Sequence, residues 1–370
     1  MKTKAAILWE TNAPWSVEDV DLDGPEPTEV LVRLTAAGLC HSDQHLVTGD
    51  LPSPMPIVGG HEGAGVIEAV GSEVRGFQVG DHVVLGFIPS CGVCAACATG
   101  HQNLCERGAF VLSGEELAGG QRVHARGQGI GTMCCLGSFS PYVIAHESSI
   151  IKIDGDIPLD KAALVSCGVA TGLGSAIYAG GVRAGDTVAV VGCGGIGSNA
   201  IQGARIAGAA NIVAIDPIAF KRDSAKLFGA THVAADLAEA KDLIAEITRG
   251  HFANVAMITA GVAVGSLLAP TMELLGKNGR AVITAFSPWL QMDVNLSMLD
   301  LTLYQKEIKG AIFGAANPRY DIPRFLSWYQ KGILKLDELV TSTYTLDQIN
   351  DGYHDLDEGR NIRGMILFDH

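Results

Sequence analysis

The sequence predicts a β-rich domain joined to a doubly wound parallel α/β domain, and three observations predict it. A β-branched apolar run at 188–191 opens directly into glycines spaced G-x-G-x-x-G. From there to residue 284, strand-like and helix-like patterns alternate, as in repeated βαβ units. The first forty residues instead alternate short apolar runs with turns at Gly24, Pro25 and Pro27, which is small β-barrel material. A chain of 370 residues with 48% apolar and 18% charged content is sufficient for two cores without staples.

In the βαβ unit, residues 188–191 read as a strand buried on both faces. Gly192, Gly194 and Gly197 follow, then a stretch with Ile196, Ala200, Ala204 and Ala207 on one helical face. A second buried strand at 212–215 ends at Asp216. With 46 Gly in 370 residues, about one chance match to three fixed glycines is expected, so the flanking strand, helix and acid carry the argument. Backbone N–H groups around Gly195 and Ile196, at a helix N-terminus with no Cβ in the way, suit a dinucleotide pyrophosphate. Asp216 would accept hydrogen bonds from ribose hydroxyls and repel a 2′-phosphate, which predicts NAD rather than NADP. The bland alternative is a glycine-rich turn in an ordinary α/β domain.

With 26 Lys and Arg against 40 Asp and Glu, the formal charge is −14. No basic run offsets it, which argues against nucleic acid or an anionic membrane as partner. No apolar run approaches a membrane span, and the first ten residues lack a signal-peptide core and cleavage site, so a cytoplasmic protein is expected. Nine Cys then read as metal ligands or buried thiols before disulfides.

In chain order, strands at 5–9 and 30–37 lead to Cys40, and prolines at 52, 54 and 56 extend the chain toward His61 and Glu62. These three residues thus stand at loop and strand ends, where a scaffold can aim them. Cys91, Cys94, Cys97 and Cys105 are spaced C-x2-C-x2-C-x7-C. Such a cluster arises by chance on the order of once in ten thousand chains of this composition, and tetrahedral thiolate coordination explains it. Four protein ligands leave no open position, so a structural zinc is expected; the alternative, a redox dithiol, occurs as a single C-x-x-C. Residues 106–137 show no helical or strand periodicity and read as an irregular loop. Strands follow at 140–145 and 150–153, and helices at 159–165 and after Cys167. Beyond Asp216 come helices at 221–228, 237–248 and 265–274 between strands at 232–234, 255–258 and 280–284. A strand at 308–313, helices at 323–331 and 346–356, and a strand at 365–368 complete the chain.

The motifs GLCHSD, GGHEGAGVIEAVG, the four-cysteine lobe, VSCGVATG, VVGCGGIG and NIRGMILF, in this order over essentially the whole chain, resemble the zinc-containing alcohol dehydrogenases of the medium-chain dehydrogenase/reductase superfamily. The similarity is greatest to the actinobacterial nicotinoprotein group, which passes electrons to N,N-dimethyl-4-nitrosoaniline. The resemblance implies a GroES-like catalytic domain (1–168 and 313–370, with a zinc lobe at about 89–106) and a Rossmann NAD domain (169–312). It also implies one catalytic and one structural zinc per chain, and hydride transfer between a primary alcohol/aldehyde pair and NAD(H).

Carried over residue by residue, the resemblance makes Cys40, His61 and Cys167 the catalytic zinc ligands. Glu62 becomes an acid behind the metal that binds it transiently, and Asp43 the carboxylate that orients His61. Ser42 would contact the alcohol oxygen. His45 would stand at the solvent end of a proton relay that runs through the nicotinamide ribose. Lys221 and Arg363 correspond to ribose and pyrophosphate contacts, Thr171 to a residue at the nicotinamide, and His41 to a phosphate-side position that other members fill with Arg. Ala109 stands where the glutathione-dependent formaldehyde branch has a substrate-binding Arg, which argues against glutathione adducts. A polyol dehydrogenase, whose third zinc ligand is commonly Glu, is disfavoured by Cys167. A non-catalytic NAD-binding relative is disfavoured by the presence of every metal ligand. The resemblance further implies a dimer or tetramer joined through the edge strand at 308–313, and leaves 113–137 as a candidate lid that retains NAD(H) through turnover.

Overall fold

A computed structural model describes every residue from Met1 to His370, in two compact units, Met1–Cys167 with Asn317–His370, and Gly168–Ala316. In the first unit, Lys2–Leu8, Ser16–Leu22, Val123–Ala125, Gln128–Thr132 and Ile57–Val58 close into a barrel. A 7-stranded sheet runs Ile150–Lys152, His82–Leu85, Ala64–Val70, Glu29–Gly38, Arg363–Leu367, Val340–Tyr344, with Tyr142–His146 also paired to Glu29–Gly38. Glu29–Gly38 shows why the pattern folds this way. Val30, Val32, Leu34 and Ala36 are fully buried while the residues between them are only half-buried, the period of two expected of a strand with one face in the core.

Two expectations for this unit need correction. Residues 106–137 are not wholly irregular, because Val123–Ala125 and Gln128–Thr132 form a hairpin that closes the barrel against Ser16–Leu22 and Ile57–Val58. Arg126 and Gly127, with φ of 52° and 78°, make its two-residue turn, the left-handed pair that tight hairpins favour. Residues 123–132 of the candidate lid are therefore barrel wall. The helix expected at 323–331 begins earlier, spanning Pro318–Gln330. Pro318 occupies its first turn, where a missing N–H costs nothing, and the Asn317 N–H donates to Asp321 at 2.8 Å.

The second unit is a 6-stranded parallel sheet in the order His232–Ala234, Asn211–Ile215, Thr187–Val191, Ala253–Ile258, Leu275–Ile283, Glu307–Gly310. The order reverses between Thr187–Val191 and Ala253–Ile258, and ligands of such sheets bind beyond the strand carboxyl ends at that reversal. All five residues of Thr187–Val191 are buried, whereas all four of the edge strand Glu307–Gly310 are exposed. The strand expected at 308–313 therefore ends at Gly310, and Ile312–Ala315 turns tightly. Phe313 and Gly314 are left-handed there, with φ of 54° and 61°, and a Cβ on Gly314 would collide with the backbone around Thr171 and Ser175. Composition alone made this turn look like strand.

Candidate functional site

The strand Glu29–Gly38 delivers Cys40 to the N-terminus of helix His41–Thr48. His61 and Glu62 lie between the short strand Ile57–Val58 and Ala64–Val70, and Cys167 follows the turn Ala163–Ser166. One ligand atom from each of Cys40, His61, Glu62 and Cys167 lies within 4.8 Å of the others, and all four side chains are buried.

Asp43 ties the cluster together from the first turn of the helix. Its Oδ2 accepts the Cys40 N–H at 3.3 Å, and its Oδ1 accepts the Gly60 N–H at 3.1 Å and faces His61 Nδ1 at 3.0 Å. A buried carboxylate needs such donors, and its position keeps the imidazole proton on Nδ1. His61 Nε2 is then left as a lone pair, buried and without any partner in the protein. An orphaned imidazole nitrogen beside two thiols fits a zinc ion, and two thiolates with one imidazole balance its charge.

The electrostatics agree with a cation site. Hydrogen bonding from Cys167 holds the Cys40 thiol well below its usual range, with His61 assisting, and Cys40 in turn pushes Cys167 up. Burial is the largest influence on His61 and works to lower it, but the charge and hydrogen bond of Asp43 and the neighbouring Cys40 together outweigh it. The imidazole is raised well above 6.5, the preference for positive charge expected of a cation site. Burial pushes Glu62 up to about 7 against the opposing pull of Arg363. Arg363 is itself buried and donates directly to Glu62. The structure thus places Arg363, expected at the pyrophosphate, against the acid behind the cluster.

Ser42 lies beside the cluster, its Oγ accepting from Cys40 Sγ at 3.6 Å. His45 is not at the solvent end. Its side chain is 4% exposed and its Nδ1 faces Asp50 Oδ2 at 3.0 Å, while Asp50 is 23% exposed. His45 shares the inward face of its helix with Leu46, and Asp50, in the following turn, is the group that reaches water. His41, first in that helix, is half-buried.

Cys91, Cys94, Cys97 and Cys105 form the second cluster, again with all ligand atoms within 4.8 Å. All nine cysteines are free. The Cys94 and Cys97 N–H groups donate to Cys91 Sγ at 3.3 Å and Cys94 Sγ at 3.5 Å. Burial alone would raise Cys91, but N–H groups of Val93 and Cys94 bring it to about 6, and the N–H of Glu106 lowers Cys94. Burial pushes Cys97 up to about 12 and raises Cys105. Four sulfurs drawn together without a disulfide fit a closed tetrathiolate metal site.

In the second unit, helix Gly195–Ile206 starts with Gly194 as N-cap and no side chain capping its first-turn N–H groups. The space around Gly194 is open. Gly192 has φ of 93° and would collide with Ala260 if it carried a Cβ. Asp216, 5% exposed, accepts the Cys193 N–H at 2.8 Å and the Ile218 N–H at 2.9 Å, one on each oxygen, which fixes the carboxylate at the end of its strand. A bare helix N-terminus beside a fixed acid fits a dinucleotide. Lys221 lies half-buried on helix Ala219–Phe228, and Thr171 is buried with its carbonyl accepting from Ser175 at 2.6 Å.

Sequence reasoning missed three neighbours: Phe87, whose ring meets His61 edge-on at 5.6 Å, the Glu62–Arg363 pair, and Tyr353. Phe87 and Tyr353 lie in no local motif, and the motifs that hold Glu62 and Arg363 say nothing of their pairing.

Residues 26–155 match the family model of the alcohol dehydrogenase GroES-like domain, and residues 195–331 that of the zinc-binding dehydrogenases. The chain is 52% identical to the NDMA-dependent alcohol dehydrogenase of Amycolatopsis methanolica, over 99% of both chains. It is 50% identical to alcohol dehydrogenase B of Mycobacterium tuberculosis, over 100% of this chain and 99% of that one. Among solved structures, benzyl alcohol dehydrogenase from Acinetobacter calcoaceticus superposes with a TM-score of 0.92 at 30% identity, covering 100% of each chain. Identity at this level across the GroES-like and Rossmann-type parts alike means that the chain belongs to the zinc-binding alcohol dehydrogenases of the medium-chain dehydrogenase/reductase family.

Proposed function

We propose that this protein is a zinc-dependent dehydrogenase that moves hydride between a primary alcohol/aldehyde pair and NAD. The observation that carries the reading is His61 Nε2, buried without a partner beside Cys40 and Cys167. Bound there, zinc would supply a Lewis acid that lowers the pKa of a substrate hydroxyl toward neutrality, and NAD the hydride acceptor. Cys40, His61 and Cys167 hold the ion, and Asp43 fixes the His61 ring in the tautomer that can ligate. Glu62, neutralised by Arg363, stands by as an exchangeable fourth ligand. Ser42 accepts the substrate's hydroxyl proton, and the His45–Asp50 pair passes it to water. The cofactor lies on the N-terminus of helix Gly195–Ile206, with Asp216 and Lys221 on its ribose. Cys91, Cys94, Cys97 and Cys105 hold a second zinc that stabilises the fold. The test is elemental analysis together with alcohol-dependent nicotinamide reduction: two zinc ions per chain are expected, and active protein with one or none would exclude the assignment.

The 52% identity to an NDMA-dependent enzyme favours a finer version, in which NAD(H) stays bound and an external acceptor reoxidises it. Retention needs release much slower than a turnover of about ten per second. Desalted protein should then show nicotinamide absorbance after acid denaturation, and protein that oxidises alcohol only with added NAD would be an exchanging enzyme. We also propose an assembly of two or four copies through the edge strand Glu307–Gly310. Trp289, Leu290, Met298, Leu299 and Leu303 are all exposed by more than 60% on the segment before it, an apolar surface suited to a second copy. A monomeric mass in light scattering would contradict this. Nine free thiols suit the reducing cytoplasm.

A further inference from the structure

The chain leaves strand Thr187–Val191 and enters helix Gly195–Ile206 through Gly192, Cys193 and Gly194. The Gly192 carbonyl and the Cys193 N–H belong to one planar peptide in this loop, so whatever holds one end orients the other. The N–H end is held by Asp216, whose Oδ2 accepts it at 2.8 Å. The carbonyl end is held from the neighbouring strand. Thr259, directly after Ala253–Ile258, donates its hydroxyl to the Gly192 oxygen at 2.6 Å. Its backbone N–H donates to the Val191 oxygen at 2.8 Å, which carries the pairing of the two strands one residue further and fixes where the hydroxyl stands. Thr259 is buried, and a buried carbonyl left without a donor is costly.

The peptide has little room for another arrangement. A Cβ on Gly197 would overlap the Gly192 oxygen, and one on Gly192 would meet the backbone of Ala260 at 2.8 Å. The first helical turn and the end of the adjacent strand thus press on it from two sides. Without the Thr259 hydroxyl the peptide would have to turn to satisfy its oxygen, and Asp216 would lose the Cys193 N–H with it. We infer that Thr259 is a positioning residue for the dinucleotide site, clamping the Gly192–Cys193 peptide against Asp216 and so setting both the glycine loop and the carboxylate meant for the ribose. The inference rests on the assignment of NAD to this loop.

The test is a fluorescence titration with NADH of the full chain, freed of any held nucleotide, in wild type, Thr259→Ser, Thr259→Val and Thr259→Ala. Serine keeps the hydroxyl, valine keeps the volume and alanine keeps neither. Affinity should follow the hydroxyl. Thr259→Ser should bind within about 3-fold of wild type, and Thr259→Val and Thr259→Ala about 10-fold more weakly, the scale on which an orphaned buried carbonyl shifts an equilibrium. In turnover the loss should fall on the KM for NAD, with kcat and zinc content kept. In an Asp216→Ser background Thr259→Val should add less than about 3-fold, because the two side chains hold one peptide. Should the valine variant fail to fold, Thr259→Ser against Thr259→Ala decides alone. Affinity that followed volume, with Thr259→Val near wild type and Thr259→Ser weak, would overturn the inference. So would variants that unfold at lower denaturant yet bind NADH as wild type does, or a full effect in the Asp216→Ser background. Wild-type protein that binds no NADH would remove the cofactor assignment and the inference together.

Discussion

The two four-ligand clusters hold similar atoms at similar spacing and differ in nearly everything around them. Cys91, Cys94, Cys97 and Cys105 come from one short segment, use backbone N–H groups as their main support, and leave two members half-exposed. Cys40, the adjacent His61 and Glu62, and Cys167 come from three separate points of the chain. They are buried throughout and ringed by Asp43, Arg363, Phe87 and Tyr353. A site made of four like ligands is closed on itself and contributes folding energy. A site of mixed ligands with a displaceable acid keeps a position for chemistry. The charges of Asp43 and Arg363 around the Cys40 cluster are what chemistry demands and structure alone does not.

The sharpest break between them is substitution of one sulfur in each. Cys40→Ala should lower alcohol oxidation by at least ~10³-fold with the unfolding midpoint nearly kept. Cys97→Ala should instead cost about 3–5 kcal/mol of stability in denaturant titration, with residual folded protein still active. Equal effects on both properties from both variants would erase the distinction.

Next in size is cofactor choice, which separates the metal centre from the second unit. Asp216→Ser should shift the NAD/NADP preference toward NADP by about 10–100-fold in kcat/KM without changing zinc content. An unchanged preference would mean that the carboxylate, already holding the Cys193 and Ile218 N–H groups, does not meet the ribose.

The smallest effect contrasts two buried acids that burial pushes up to about 7. Glu62 belongs to the metal cluster. Glu116 belongs to neither cluster; it accepts from Thr132 at 2.7 Å, with Glu29 raising the local cost of charge and Arg122 easing it. Its folded pKa lies above the unfolded value of 4.5, so the stability it contributes is full below about 4.5 and is lost as pH rises through about 7. Glu116→Gln should therefore gain on wild type by ~1–3 kcal/mol between pH 5 and pH 8, with zinc content unchanged. A gap between the two unfolding curves that is flat with pH would show that Glu116 ionises freely.

Legibility in the sequence followed the same division. The cysteine lobe could be read from spacing alone, and the βαβ unit from the run at 188–191, its glycines and Asp216, because each is a local pattern. The metal centre needed resemblance, since nothing in the spacing of Cys40, His61 and Cys167 marks them as neighbours. The hairpin of Val123–Ala125 and Gln128–Thr132 escaped because strands this short, with glycines at 127, 129 and 131, carry no alternation. The stretch at 308–313 misled in the opposite sense, its apolar residues hiding a left-handed turn at Phe313 and Gly314. The partners of Arg363 and His45 were out of reach for one reason: each depends on where the side chain meets Glu62 or Asp50 in space, and side-chain periodicity gives only the face a residue occupies.

The claim that the two clusters hold two metals with different roles is tested most directly by counting zinc in wild type and in Cys167→Ala, alongside unfolding. The account predicts two zinc ions per chain falling to one, with the unfolding midpoint close to that of wild type and alcohol oxidation gone. Fully active wild-type protein with a single zinc, or a Cys167→Ala variant that keeps both ions and turns over alcohol, would contradict it.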